Sequence, residues 1–261
     1  MKPPQTKPPV LVVVAGGIDP SGGAGLLRDV ATAAARGARA HAVGTAWTEQ
    51  AEGVHRVEPR SPGAIRDALT RVVAELRPAA IKIGMAVGPA TAAALIEGLD
   101  GYRGPVVVDP VLATSRGGTL WDGAPEQLMP LLRRATVVTP NAVEAGEFAG
   151  LLVETGAAAE AAARFLLDRH RLQAVLVKGG HLDEAETIVT DVVVTPDGAR
   201  HWPRPRVPGP APRGTGCALA TAIAVELGRG QPLAAAIEAA GVWLASAIAS
   251  AVDAGGERHL A

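Results

Sequence analysis

The sequence predicts an α/β protein, a mostly parallel sheet with helices on both faces, and three observations carry that expectation. Short β-branched runs alternate with longer alanine- and leucine-rich ones, as when each strand feeds a crossover helix. The strand candidates are almost wholly apolar, as strands buried on both faces must be. Glycine and polar residues recur just after the strand ends, the edge at which open α/β sheets bind ligands.

Strands are expected at residues 10–14, 40–45, 80–83, 106–108, 136–138 and 174–177. Helices are expected at 24–35, 62–76, 90–99, 125–132, 143–149, 156–169, 217–227 and 233–251, where the apolar spacing is helical. A later pair of strands, 187–194 and 200–202, flanks Pro196-Asp197-Gly198, a turn signal that predicts an antiparallel hairpin at the sheet edge. Residues 1–9 are a proline-rich leader, expected to be flexible, and 10–261 are expected to form a single domain.

With 25 basic and 26 acidic side chains the charges nearly cancel, which argues against nucleic acid or an acidic membrane as partner and for a small molecule. The single cysteine cannot form an internal disulfide, and the first nine residues lack the apolar core of a signal peptide. Both point to a cytoplasmic protein. The apolar stretch 239–252 is too short and alanine-rich to span a bilayer.

Six strand ends carry the unusual residues: Gly16-Gly17, Gln50, Gly84-Met85, Asp109-Pro110, Thr139-Pro140-Asn141 and Lys178-Gly179-Gly180. Their shared placement predicts one cleft that collects them all. The first loop, Gly17-Ile18-Asp19-Pro20-Ser21-Gly22-Gly23-Ala24-Gly25, either lets a ligand lie on its backbone or is a glycine-rich turn. It has neither the Gly-x-Gly-x-x-Gly nor the P-loop spacing. Any nucleotide must therefore be held by another phosphate device.

Gly214-Thr215-Gly216-Cys217 opens the helix at 217–227 and supplies it. Unpartnered N–H groups at a helix start, with two glycines leaving the backbone bare, converge on an anion. Cys217 is there either a thiol whose pKa the helix dipole lowers or a small buried hydrophobe at a tight turn. Asp29, beside the packing face of the first helix, accepts from a ligand or is a surface charge near Arg28. Asn141 and Glu144, three apart at a helix start, suit a water-bridged hold on Mg²⁺, a capping box, or both. Lys178 is a point charge for terminal phosphates or a solvated strand-end lysine.

Taken in order, Asp19-Pro20-Ser21-Gly22-Gly23-Ala24-Gly25, Ile81-Lys82-Ile83-Gly84-Met85, Val108-Asp109-Pro110-Val111, Thr139-Pro140-Asn141 with Glu144-Ala145, Val175-Leu176-Val177-Lys178-Gly179-Gly180-His181 and Gly214-Thr215-Gly216-Cys217 resemble the motifs of hydroxymethylpyrimidine/phosphomethylpyrimidine kinases. These are the thiamine-pathway branch of the ribokinase-like superfamily. The resemblance runs from about residue 10 to about residue 250. It implies a ribokinase-like three-layer sandwich, a homodimer, and use of ATP with Mg²⁺. It also implies two successive phosphorylations of 4-amino-5-hydroxymethyl-2-methylpyrimidine, first at the alcohol and then at the resulting phosphate.

By the same resemblance Asp29 and Gln50 hydrogen-bond the aminopyrimidine, and Gly17, Ala24, Met85 and Val111 line its pocket. Gly214, Thr215, Gly216 and Cys217 form the anion hole, with Cys217 as base or close partner of the nucleophile. Lys178, Thr139, Asn141, Glu144 and Asp109 organise the triphosphate, Asp109 and Glu144 holding the magnesium indirectly through water. The chain departs from the family pattern at Ile18, Leu27-Arg28, Ala51-Glu52 and Pro212-Arg213. Two alternatives stand beside this expectation: a pyridoxine or pyridoxal kinase of the same family, and a ligand-binding protein on a kinase fold that no longer turns over.

Overall fold

The computed structural model describes residues 8–50, 54–114, 117–182, 187–254 and 257–260, apart from the side chains of Gln50, Val54, His55, His181, Ala254 and Glu257. Most of the expected leader, and Ala51-Glu52, lie outside the described residues. In chain order the elements are β1 (Leu11–Ile18), α1 (Gly25–Ala35), β2 (Arg39–Gln50), β3 (Val54–Pro59), α2 (Pro62–Leu76), β4 (Ala80–Ile83), α3 (Pro89–Gly98) and β5 (Val106–Val108). A 3-10 turn at Pro125–Leu128 then leads into α4 (Met129–Leu132), β6 (Val137–Val138), α5 (Ala142–Ala149), α6 (Gly156–His170) and β7 (Val175–Val177). The remainder is β8 (Ile188–Thr195), β9 (Gly198–Pro205), α7 (Thr215–Gly228), α8 (Leu233–Ala249), β10 (Val252–Ala254) and β11 (Glu257–His259).

Nine strands make one sheet in the order β3-β2-β1-β4-β5-β6-β7-β8-β9, and β10 and β11 pair separately. The run from β2 to β7 is parallel. At one edge β8 and β9 form the expected antiparallel hairpin. At the other, β3 is antiparallel to β2. Sequence reading does not anticipate β3, because Val-His-Arg-Val-Glu-Pro is polar and ends in proline, as edge strands can.

Alternation along the strands sorts side chains into two cores. Val13, Ala15, Ile81, Ile83, Val106 and Val108 face α2, α3, α5 and α6. Their neighbours Val12, Val14, Ala80 and Val107, with Val137 and Leu176, face α1, α7 and α8. The architecture is therefore a three-layer α/β sandwich, as expected. Period-2 geometry carries the second face onward to Lys82, Asp109, Thr139 and Lys178, each two residues beyond one of its apolar members. Polar groups from four neighbouring strands are thus delivered toward the layer that contains the start of α7.

Several boundaries depart from expectation: β2 runs on through Gln50, which was expected just beyond the strand end, β9 spans Gly198–Pro205 rather than 200–202, and α7 begins at Thr215 rather than at 217. Gly16-Gly17, expected after the first strand, lie within β1, at a shift of register against β2 between those two residues, an irregularity that glycine accommodates. The helix expected over 125–132 divides into a 3-10 turn and α4, because Pro130 has no N–H for a continuous helical ladder. The last long helix stops at Ala249 rather than at residue 251, with β10 following directly. Among the described residues no helix is long and apolar enough to cross a membrane.

Candidate active site

A cavity of about 620 Å³ opens at the carboxyl edge of the parallel strands, bounded by the loop after β1, the ends of β4 to β7 and the start of α7. Gly17, Ala24, Asp29, Met85, Val111, Asp109, Asn141, Glu144, Lys178 and residues 214–217 all line it. Of the remaining expected site residues, Thr139 is fully buried behind this surface. Its hydroxyl donates to Asp109 Oδ1 at 3.2 Å. Gln50 ends β2, and its side chain is outside the described residues.

The start of α7 is shaped by two glycines. Gly214 adopts φ +72°, and a Cβ there would collide with the carbonyl oxygen of Gly23, so only glycine lets the two loops touch. A Cβ on Gly216 would lie 3.1 Å from Lys178 Nζ. The lysine ammonium therefore overhangs the unpartnered amides of the first helical turn. Together they form a cationic, donor-rich cradle for an anion.

Lys178 is fixed from below. Its Nζ donates to Asp109 Oδ1 at 2.6 Å and lies 4.0 Å from Glu144 Oε2. Burial alone would push Asp109 up, but the ammonium groups of Lys178 and then Lys82 outweigh it and hold the carboxyl below its ordinary value. Glu144 differs: burial, with the neighbouring Asp109 charge, pushes it up to about 7 against the pull of Lys178. Asn141 and Glu144 form the capping box. Asn141 Oδ1 accepts from the Glu144 N–H at 2.9 Å, and Glu144 Oε2 accepts from the Asn141 N–H at 2.8 Å. This cap orients both side chains at the cavity wall.

The opposite wall is apolar. Met85 packs with Ala46, Val87 and Leu120, against which Val111 also rests. A Cβ on Gly17 would come within 2.6 Å of the Met85 sulfur, so the glycine admits the methionine. Thr45 Oγ1 donates to the Met85 carbonyl at 2.8 Å and fixes that turn. A flat heteroaromatic ring suits such a surface.

Asp29 is not a surface charge. It has no exposed area, and Lys82 Nζ donates to both its oxygens, at 3.0 and 2.8 Å, while Thr221 Oγ1 adds a third bond at 2.8 Å. Burial pushes the Asp29 carboxyl up, with Lys82 opposing. For Lys82 burial works downward, but Asp29, Cys217 and Asp109 together prevail and hold its pKa above the usual lysine range. Lys82 is the residue that sequence reading missed. The signal was available, since a lysine inside the apolar strand 80–83 must find a buried partner, and Asp29 presents the complementary anomaly on α1.

Cys217 corrects an expectation. Its thiol is not lowered by the helix dipole; burial pushes it up to about 11, and the ammonium of Lys82 only partly offsets this. Desolvation disfavours the thiolate more than the helix start favours it. At neutral pH this is a protonated thiol in the cavity wall. Arg213, immediately before the glycine pair, is a second lining residue that sequence reading left without a role.

The comparisons with known proteins agree with this geometry. A family model described as phosphomethylpyrimidine kinase matches residues 19–260. The hydroxymethylpyrimidine/phosphomethylpyrimidine kinase of Rhizobium meliloti (strain 1021) is 37% identical over 238 residues, covering 90% of this chain and 89% of that one. Among solved structures, a phosphomethylpyrimidine kinase from Clostridium difficile 630 superposes with a TM-score of 0.79 at 30% identity, over 92% of this chain and 99% of that one. The pyridoxal kinase of Staphylococcus aureus in complex with ADP superposes at 0.87 with 25% identity, over 97% and 93%. The motifs at the strand ends, the sheet that carries them and a family match over nearly the whole length lead to one assignment: the chain belongs to the phosphomethylpyrimidine kinase family.

Proposed function

We propose that this chain transfers the γ-phosphoryl group of ATP to the alcohol of 4-amino-5-hydroxymethyl-2-methylpyrimidine, and then phosphorylates that product to the diphosphate for thiamine biosynthesis. The observation that carries the reading is the cradle formed by Lys178 over Gly216, set across one cavity from the Met85 and Val111 wall. Phosphoryl transfer needs chiefly positioning and charge stabilisation. The amides at 214–217 and the Lys178 ammonium receive charge that develops on the moving phosphoryl oxygens.

The alcohol oxygen attacks phosphorus, the bond to ADP breaks, and ADP leaves with the electron pair. In a loose transition state the alcohol proton departs late, passing to an oxygen of the transferred phosphoryl group and then to solvent. Cys217, held as a thiol, positions the nucleophile rather than removing its proton. Gly17, Ala24, Met85 and Val111 bound the ring site in this reading. Asp29, expected to bond the ring, is instead committed to Lys82 and Thr221 and acts by fixing the wall beneath it. That leaves the hydrogen bond to the aminopyrimidine to Gln50. Thr139 steers Asp109, and Asn141 holds Glu144 in place for the triphosphate.

Asp109 and Glu144 offer hard oxygen donors beside the cradle. Among the described residues no three His, Cys, Asp or Glu side chains cluster as a metal cage. Two carboxylates without a cage suit Mg²⁺, which keeps its waters and binds largely through phosphate oxygens. When bound it would neutralise the triphosphate charge, Asp109 and Glu144 holding it through water. The kinase unit spans 10–261, works as a homodimer and is cytoplasmic in this reading.

The test is incubation with MgATP and a panel of the hydroxymethylpyrimidine, its monophosphate, pyridoxine and pyridoxal, with products identified by mass. Mono- and diphosphate formation from the pyrimidine is expected. Phosphorylation of the pyridoxal pair alone would transfer the assignment to the vitamin B6 substrates, and ligand binding without any product would reduce the chain to a binding protein.

A further inference from the structure

We propose that Arg213 selects the phosphorylated pyrimidine, its guanidinium receiving the phosphate ester that the free alcohol lacks. The inference rests on the kinase reading above and assigns its second step a residue of its own.

Arg213 immediately precedes Gly214 and lines the cavity. Its Nη2 donates to Asp19 Oδ2 at 3.0 Å and its Nη1 to Ser21 Oγ at 3.2 Å. The side chain thus crosses from the start of α7 to the loop after β1. It lies over Gly23, where a Cβ would come within 3.5 Å of Nη1. That loop is curled to meet it: the Ser21 N–H donates to Asp19 Oδ1 at 3.0 Å, and the Gly23 N–H donates to Ser21 Oγ at 3.1 Å. Asp19 is buried at 2% exposure, so the guanidinium is held at the substrate side of the cavity instead of extending into water.

The distribution of charge singles this group out. Lys82 is locked on Asp29 with a side chain 1% exposed. Lys178 serves Asp109 and Glu144 at the far side of the cradle. Arg204 and Arg206 also line the cavity, but Arg204 pairs with Asp191 and Arg206 donates to the carbonyls of Gly180 and Leu182. A phosphate ester on a ring seated against Gly17 and Met85 needs a cation on its own side, and of these five it is Arg213 that reaches the loop after β1. A planar guanidinium matches phosphate oxygens in a bidentate fork, which an ammonium cannot do. The guanidinium has five N–H donors, so it can receive ester oxygens while Nη2 keeps its bond to Asp19.

The chemistry of the second transfer fits. An oxygen of the ester phosphate attacks the γ-phosphorus, a P–O–P link forms, the bond to ADP breaks, and ADP leaves with the electron pair. The ester is already ionised near neutral pH, so no base is required and a protonated Cys217 is no obstacle.

Steady-state kinetics of the wild type, Arg213→Ala, Arg213→Lys and Asp19→Asn with MgATP test the proposal, using the hydroxymethylpyrimidine and its monophosphate as separate substrates. Arg213→Ala is expected to lower kcat/KM for the monophosphate about tenfold or more while the alcohol changes less than about threefold, with Arg213→Lys in between. Asp19→Asn, which keeps the guanidinium but weakens its tether, is expected to leave the monophosphate-to-alcohol ratio within about threefold of the wild type. Equal losses for both substrates in Arg213→Ala and Asp19→Asn would overturn the proposal, leaving a brace between loops. So would a wild type that phosphorylates the alcohol but ignores the monophosphate, although the kinase reading would then stand. A wild type inert toward both pyrimidines would remove the kinase reading and this inference with it. If Arg213→Ala does not fold, the lysine variant and Asp19→Asn carry the same comparison.

Discussion

Lys82 Nζ lies 2.8 Å from Asp29 Oδ2, with both side chains 1% exposed, so the wall beneath the thiol is an ion pair sealed from water. Removing one member of such a pair leaves an uncompensated charge in a low-dielectric site. Lys82→Met is therefore expected to destabilise the protein by about 3–5 kcal/mol, whereas Lys82→Met with Asp29→Leu recovers much of the loss. Urea denaturation of the single and double variants measures this. A double variant as unstable as the single one would show that the pair is held for packing rather than for charge.

Cys217 should titrate late. With the thiol pushed up to about 11, alkylation by iodoacetamide is expected to be slow at pH 7 to 8 and to climb through pH 10, tracked by thiolate absorbance. The pH profile of kcat is expected to show no thiol ionisation near neutrality. Cys217→Ala should lower turnover about tenfold or more while nucleotide binding by titration persists, and Cys217→Ser should retain more activity than alanine because it keeps a polar O–H beside the nucleophile. Full activity in the alanine variant would reduce the thiol to packing.

Glu144 sets a pH dependence in the ligand-free protein. Its folded-state pKa is raised from 4.5 to about 7, so between these values the native state binds more protons than the unfolded chain. Stability from this group is therefore greatest at the acidic end of the window and falls as pH rises from about 4.5 to about 7, levelling above it. Glu144→Gln should flatten that slope in thermal melts collected across the window. A slope of opposite sign would mean that the carboxylate is stabilised as an anion.

Gly214→Ala combines a left-handed φ of +72° with a Cβ driven onto the Gly23 carbonyl. Strain of this kind costs about 1–3 kcal/mol. The expected readout is a lowered Tm together with a larger loss in kcat than in pyrimidine affinity, since the displaced amides belong to the anion cradle. Gly22→Ala, where φ is also +72° but nothing lies within 4 Å of the added carbon, should lower Tm while largely sparing kcat.

The central strands and the helices between them were legible because each is a clean apolar run of one period, and the cavity lining was legible because its residues punctuate those runs. What was not legible depended on partners distant in sequence. β3 is polar and becomes a strand only because β2 overruns the sheet and offers it an edge. The state of Cys217 depended on desolvation and on the charges of Lys82, Asp29 and Asp109, distant in sequence, which a local helix-dipole argument leaves out. Asp29 stood out beside the packing face of α1 while Lys82 passed unremarked within its strand; the contact between them, across 53 residues, explains both. Arg213 was noticed as a departure, but its reach to Asp19 is a contact across 194 residues.

The alternation that carries Val107 into Asp109 and Leu176 into Lys178 makes strand length a hidden constraint. Deleting a single valine from β5 would turn the aspartate toward the α2–α6 layer and strand Lys178 without its anchor, though every residue type at the site were kept. Insertions and deletions are thus expected to be tolerated in connections and outer edges, whereas a one-residue change within a core strand turns every later side chain to the other face.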